Sequence, residues 1–296
     1  MSGLREHRIK TAFQRIGMTG MMDRRQFTAG FALTMGATLL NRPALAAPAI
    51  SEKFTCTVMA DVATGQTIVR DGPSDRRFTP CSSFKFPLAV MGFDSGVLVD
   101  PHHPRWDYRP EFEATMESQK KAADPTIWLA DSIVWYSQEL TRALGAARFR
   151  GYVERFGYGN EDVSGNAGKD DGLTQAWLMS SLAISPDEQV GFVLRFLGRK
   201  LGVSDHAYEA TRASLARYPA SDGWTLHGKT GSGFLRNAAG ATDRSRPLGW
   251  FVGWGEKDGR QVAFARFNLG NQRSKTYGGM IARAAMMEDF ADLVAR

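Results

Sequence analysis

Cysteine is almost missing from this chain: only Cys56 and Cys81 occur in 296 residues. Two cysteines and five scattered histidines give no metal-ligand spacing, so no metal site is expected. Long apolar runs are also scarce. Beyond residue 46 no stretch is long and apolar enough to cross a bilayer, so the mature chain is expected to be soluble, without stable membrane insertion. Internal repeats and low-complexity segments are absent, which sets aside solenoids and propellers. Excess charge is missing where it would matter. The net charge is +6, but residues 1–46 hold seven Lys/Arg against two acids, a net of +5, leaving +1 for the rest. No basic stripe with interleaved aromatics remains, so nucleic acid is not an expected partner.

What is present is ordinary globular composition, 43% hydrophobic and 23% charged, enough for one large core or two lobes sharing a site. The basic leader reads as an export signal. Asp23-Arg24-Arg25-Gln26-Phe27-Thr28 precedes an apolar segment, Ala29 to Leu40, and then Ala44-Leu45-Ala46, a small-x-small cleavage pattern. The paired arginines resemble a twin-arginine signal, with translation starting at Met1 or instead at Met21 or Met22. Cleavage after Ala46 would release a periplasmic or secreted protein, residues 47–296 forming one catalytic domain. In such an oxidising compartment Cys56 and Cys81 either pair or stay as buried free thiols, with pairing the favoured expectation.

Taken in order, residues 54–60 and 66–70 flank Thr64-Gly65 as a hairpin of β-branched strands. Residues 101–127 lack a clear period and read as loop. A helix is expected from Ile127 to Leu144, another from Phe149 to Phe156, and a Gly/Asn/Asp-rich loop over 157–172. Ser185-Pro186-Asp187-Glu188 is a helix start, running to about Leu201, and Asp205 to Ala216 is also helical in pattern. The period then changes: 224–231, 248–256 and 261–269 read as strands, and Met280 to Val294 as a closing amphipathic helix. The fold class is α+β: an antiparallel sheet built from N- and C-terminal strands, flanked by helices, with a mainly helical lobe over about 83–216. The site is expected in the cleft between sheet and lobe, rimmed by loops 101–120, 157–175 and 233–247.

One stretch organises the rest, Pro80-Cys81-Ser82-Ser83-Phe84-Lys85-Phe86-Pro87. One helical turn places Ser82 and Lys85 on the same face. Burial among Phe84, Phe86 and Leu88 favours the neutral amine, which can take the serine proton. Free N–H groups at the helix start can stabilise negative charge beside Ser82. Alone, Ser-x-x-Lys is a weak signal, expected about once by chance in a chain of this length, and a capping serine with a snorkelling lysine explains it equally well. It gains weight from Ser132-Ile133-Val134 in the helical lobe and Lys229-Thr230-Gly231 at a strand end, in that order.

These three elements resemble the penicillin-recognising serine enzymes. Because the middle element is not Ser-Asp-Asn, and because Ser132-Ile133-Val134-Trp135-Tyr136, Tyr158-Gly159-Asn160 and Trp177-Leu178 accompany it, the chain is similar to the class D β-lactamases, or oxacillinases. The resemblance spans Cys56 to Asn268. It implies a β-lactam substrate attacked by Ser82, with Lys85 carboxylated by CO₂ or bicarbonate to N6-carboxylysine and acting as general base. No other cofactor is implied. Val134 and Leu178 would keep the base pocket dry, and the Trp177 indole would donate to the carbamate. Ser132 would pass a proton to the leaving nitrogen. Lys229 would supply positive potential, and Thr230, Gly231 and Ser232 would bind substrate, with the Ser82 and Ser232 N–H groups as oxyanion hole. Tyr158-Gly159-Asn160 reads as a structural turn.

The chain departs from the family at the arginine that grips the substrate carboxylate. Ile281 stands at the ungapped position, Arg283 fits after a small insertion, and Arg273 or Lys275 are alternatives from the loop. The competing readings are a penicillin-binding peptidase and a non-hydrolysing β-lactam sensor, both of which would hold a stable adduct. The sequence leaves the substrate spectrum and formation of a homodimer open.

Overall fold

Alternating β-branched residues around the Thr64-Gly65 turn produce the first hairpin. β1 (Phe54–Asp61) pairs antiparallel with β2 (Thr67–Asp71). Asp61 closes the turn, its Oδ1 accepting from the N–H groups of Ala63 and Thr64 at 3.1 Å each. The structure, a computed structural model, describes residues 52–296. The export segment of residues 1–46, its Met21 or Met22 start and its cleavage site lie outside the described residues.

A 3-10 turn, Cys81–Phe84, runs straight into α1 (Lys85–Asp94), so Ser82 sits on the tighter turn and Lys85 opens the α-helix. Pro87 falls in that first turn, where no N–H partner is lost. The single helix expected over 127–144 is instead two. α2 (Pro125–Asp131) ends at Ser132 with left-handed φ 57 and ψ 38, and α3 (Val134–Leu144) restarts after Ile133. The Ile133 N–H returns to the Trp128 carbonyl at 3.1 Å, so the break is a left-handed C-cap carried by serine rather than glycine. α4 (Ala146–Arg155), the short α5 (Gly172–Gln175), α6 (Pro186–Leu197) and α7 (Asp205–Ser214) complete the lobe. α6 begins as its sequence predicts: Ser185 and Glu188 form a reciprocal capping box, with bonds of 3.2 and 2.9 Å.

β3 (Arg217–Pro219), β4 (Thr225–Arg236), β5 (Thr242–Lys257) and β6 (Arg260–Leu269) follow, and α8 (Gly278–Val294) closes the chain. All strands join one six-stranded antiparallel sheet in the order β2-β1-β6-β5-β4-β3. β3 is too short to show a period and escaped the sequence reading. The rim loop expected over 233–247 is mostly strand: β4 and β5 extend past the core as a hairpin with a bulge between Phe234 and Leu235. The extension joins Phe234 and Leu235 of β4 to the polar and charged residues 242–246 of β5, so it shows no clear apolar period.

Strand alternation sorts the core into two layers. Trp250, Val252 and Trp254 of β5 face the helical lobe, while Phe251 joins Phe264, Met286 and Phe290 beneath α8. In β4 the odd positions His227, Lys229, Gly231 and Gly233 face the lobe, as the His227–Trp254 stack shows. The sheet thus presents Lys229 to Ser132 across the cleft. Among the described residues no helix is long and apolar enough to cross a membrane.

The pairing of Cys56 with Cys81 is not formed; both are buried free thiols. The topology explains this. Cys56 lies on β1, whereas Cys81 packs against Gly233 of β4, and β6 and β5 stand between these strands. Three strand spacings are roughly 14 Å, about twice the Cα separation a disulfide tolerates.

Candidate active site

Lys85 is fully buried, and its Nζ lies 3.0 Å from Ser82 Oγ. Burial, reinforced by the charge of Lys229, holds its ammonium well below the ordinary lysine range; the Cys81 thiol opposes this weakly. Desolvation thus favours the uncharged amine, the form with a lone pair facing the serine. Trp177 is buried and stacks on Phe84 with ring centroids 5.5 Å apart, and its indole N–H has no protein partner. A buried unpaired donor is costly, so this N–H marks a place where an acceptor is missing. Val134 is buried and Leu178 half-buried in the same lobe.

A second pair faces the first. Lys229 Nζ donates to Ser132 Oγ at 3.1 Å and to the Thr230 carbonyl at 3.0 Å. Burial, with Arg283 adding to it, pushes Lys229 down to about 7. The left-handed conformation of Ser132 is held by Gln119, whose amide donates to the Ser132 carbonyl and accepts from the Val134 N–H, both at 3.3 Å. Gln119 is itself fixed, because its carbonyl accepts from the Trp135 indole at 2.7 Å.

β4 approaches the Ser82 turn very closely. A Cβ at Gly231 would lie 2.5 Å from the Pro80 carbonyl oxygen and 2.8 Å from the Ser83 nitrogen, so only glycine fits there. Ser232 Oγ accepts from the Gly279 N–H at 2.9 Å, tying β4 to the start of α8. Buried groups brace the nucleophile turn: Ser83 Oγ donates to the Pro80 carbonyl at 2.7 Å and accepts from Gln189 at 3.2 Å.

The profile of the family described as "Penicillin binding protein transpeptidase domain" matches residues 55–291. The chain is 50% identical over 244 residues to β-lactamase OXA-9 of Klebsiella pneumoniae, covering 82% of this chain and 89% of that one. It is 32% identical to β-lactamase OXA-1 of Escherichia coli, over 81% and 84% of the two chains. The crystal structure of the OXA-427 class D β-lactamase superposes with a TM-score of 0.75 at 42% identity, covering 81% of this chain and 97% of that one. The chain belongs to the class D β-lactamases.

Within this class D scaffold, the structure brings Ser82, Lys85, Ser132, Lys229, Thr230, Gly231 and Ser232 to one cleft between sheet and lobe. Arg283 projects from α8 with its guanidinium 4.6 Å from the centre of the Tyr218 ring, close enough for its charge to act on Lys229. Ile281 is exposed on the same helix. Asn160 ties its turn to the neighbouring loop through the Ser181 carbonyl and the Ala183 N–H, both at 2.9 Å, a structural role.

Three participants were missed by the sequence reading. Gln119 lies in an aperiodic stretch, Tyr218 in a three-residue strand, and Thr79 just ahead of the nucleophile motif. Thr79 Oγ1 donates to the Trp177 carbonyl at 3.0 Å and accepts from the Met179 N–H at 3.1 Å, fastening the base pocket to the nucleophile turn. None of the three carries a spacing signal; only the fold reveals them.

Proposed function

We propose that the protein hydrolyses the lactam amide of penicillin-type antibiotics through an acyl-enzyme on Ser82. The observation that carries this reading is a wholly buried lysine amine 3.0 Å from the Ser82 hydroxyl, its charged form disfavoured by burial. The base on Lys85 takes the Ser82 proton as Oγ attacks the lactam carbonyl. The Ser82 and Ser232 N–H groups stabilise the oxyanion. Collapse breaks the C–N bond, and Ser132, backed by Lys229, protonates the leaving nitrogen. The base then passes the proton it took from Ser82 on to Ser132; water attacks the ester carbonyl, the base takes the water proton and returns it to Ser82 Oγ as the penicilloate leaves. Thr230, Lys229 and Arg283 form a positive end for the substrate carboxylate, with Gly231 allowing the close approach of β4.

The residues around Lys85 suit N-carboxylation. A neutral amine lone pair adds to the carbon of CO₂ and one N–H proton is released, giving N6-carboxylysine. The unpaired Trp177 indole N–H would donate to the new carboxylate, and Val134 and Leu178 would limit its contact with water. The carbamate would supply an anionic oxygen base in place of the amine. Residues 1–46 would serve for export, delivering the enzyme where β-lactams arrive.

The test is turnover of a chromogenic cephalosporin by residues 47–296, with and without bicarbonate, beside Ser82→Ala and Lys85→Ala. Multiple turnover that rises with bicarbonate, lost by at least about 10³-fold in both variants, is expected. A single stoichiometric burst with a lasting adduct on Ser82 would instead indicate a penicillin-binding peptidase or a sensor.

A further inference from the structure

Three non-glycine residues beside the cleft adopt left-handed backbone: Cys81 with φ 49, Ser132 with φ 57 and Met179 with φ 56. Cys81 carries the nucleophile and Ser132 the second hydroxyl. The mechanism leaves Met179 without a role, yet its position is closely determined. Its N–H donates to Thr79 Oγ1 at 3.1 Å, its carbonyl accepts from the Arg236 guanidinium, and its Sδ accepts from the Phe234 N–H at 3.3 Å. Gly233 makes room for it, since a Cβ there would lie 3.2 Å from Met179 Cγ and 2.5 Å from Cys81 Sγ.

The bond to Phe234 orients the whole outer edge of β4. In an antiparallel strand the N–H and C=O of one residue point to one side and those of the next residue to the other. The Phe234 N–H points away from β5, so the backbone groups of Ser232 and Thr230 do too, in agreement with the Lys229 bond to the Thr230 carbonyl. Successive outward groups are thus at Thr230, Ser232 and Phe234, each about 7 Å apart. The Phe234 donor is already occupied by sulfur.

A penicillin has its carboxylate at one end of the bicycle and its acylamino group at the other, beside the reacting carbonyl. With that carbonyl at the Ser232 N–H and the carboxylate toward Thr230 and Lys229, the acylamino arm runs along β4 toward Phe234, as an added strand segment would. It then meets Met179. We propose that Met179 is a specificity-determining residue, its thioether closing the far end of the β4 edge and forming the wall against which the substrate's acyl side chain packs. This rests on the β-lactam reading above.

The test measures, by mass spectrometry, the second-order rate constant for acylation of Ser82. The probes are 6-aminopenicillanic acid, which lacks the acyl arm, benzylpenicillin, and a penicillin with a 2,6-dimethoxyphenyl arm. In Met179→Ala the ratio of the bulky-arm constant to the armless constant should rise roughly tenfold. Met179→Leu, which keeps the wall, should hold that ratio within about twofold, and Met179→Phe, which leaves no void, should lower it. A uniform change across all three probes, or an unchanged ratio in both Met179→Ala and Met179→Phe, overturns the proposal alone. Absence of both an acyl-enzyme and lactam hydrolysis with every probe overturns the β-lactam reading and this proposal with it.

Discussion

Two lysines buried within one cleft cost stability. Each is held below its ordinary pKa chiefly by desolvation, Lys85 strongly and Lys229 to about 7. Between that value and the unfolded lysine value of 10.5, the unfolded chain binds more protons at Lys229 than the folded one. Folding stability must therefore rise with pH across this window. Denaturation at pH 7 and pH 8.5 should show the parent gaining about 1.6 kcal/mol relative to Lys229→Met, given about 1.36 kcal/mol per pH unit at full slope. Equal gains in the two proteins would mean that Lys229 is solvated and ordinary. Under the proposed mechanism the burial that readies each lysine also makes it an expensive residue to fold, a trade common at catalytic sites.

At the scale of elements, the cleft depends on how closely β4 meets the turn that opens α1. Gly231 permits that contact, and a branched side chain there must displace Pro80 or the strand itself. Gly231→Val should lower Ser82 acylation by about 10² or more, the scale of losing an oxyanion donor. A contrasting change lies at α6, whose capping box touches no site residue named here except through the Gln189 bond to Ser83. Ser185→Ala should reduce stability by about 1 kcal/mol with kcat/KM within about twofold of the parent. Chemical denaturation and steady-state kinetics on the two variants separate these outcomes. If both lose activity in proportion to stability, the close approach of β4 has no catalytic meaning.

Across the whole molecule, one antiparallel sheet separates two apolar layers and keeps the two cysteines apart. Burial raises both thiols to about 12, and protonated buried thiols react slowly. The native protein should show no thiol reactive toward an aromatic disulfide at pH 8, and two after denaturation. Reductant should leave Tm unchanged; a fall of several degrees would reveal a disulfide tying β1 to the nucleophile turn.

The residues on their own determined the α+β class, the β1–β2 hairpin, the strands that become β5 and β6, and the capped start of α6. Each of these rests on local spacing, turn chemistry or a motif that travels within a few residues. The break at Ser132 was not legible, because the left-handed cap is stabilised by Gln119 from a distant aperiodic loop rather than by glycine. Nor was the state of the cysteines, which depends on strand order in the sheet. The extension of β4 and β5 over residues 233–247 has no clear apolar period to detect, and with it went the contact between Phe234 and Met179. Tertiary structure alone decided these points, since each is settled by groups brought together across the fold, and no spacing within a single segment encodes such a meeting.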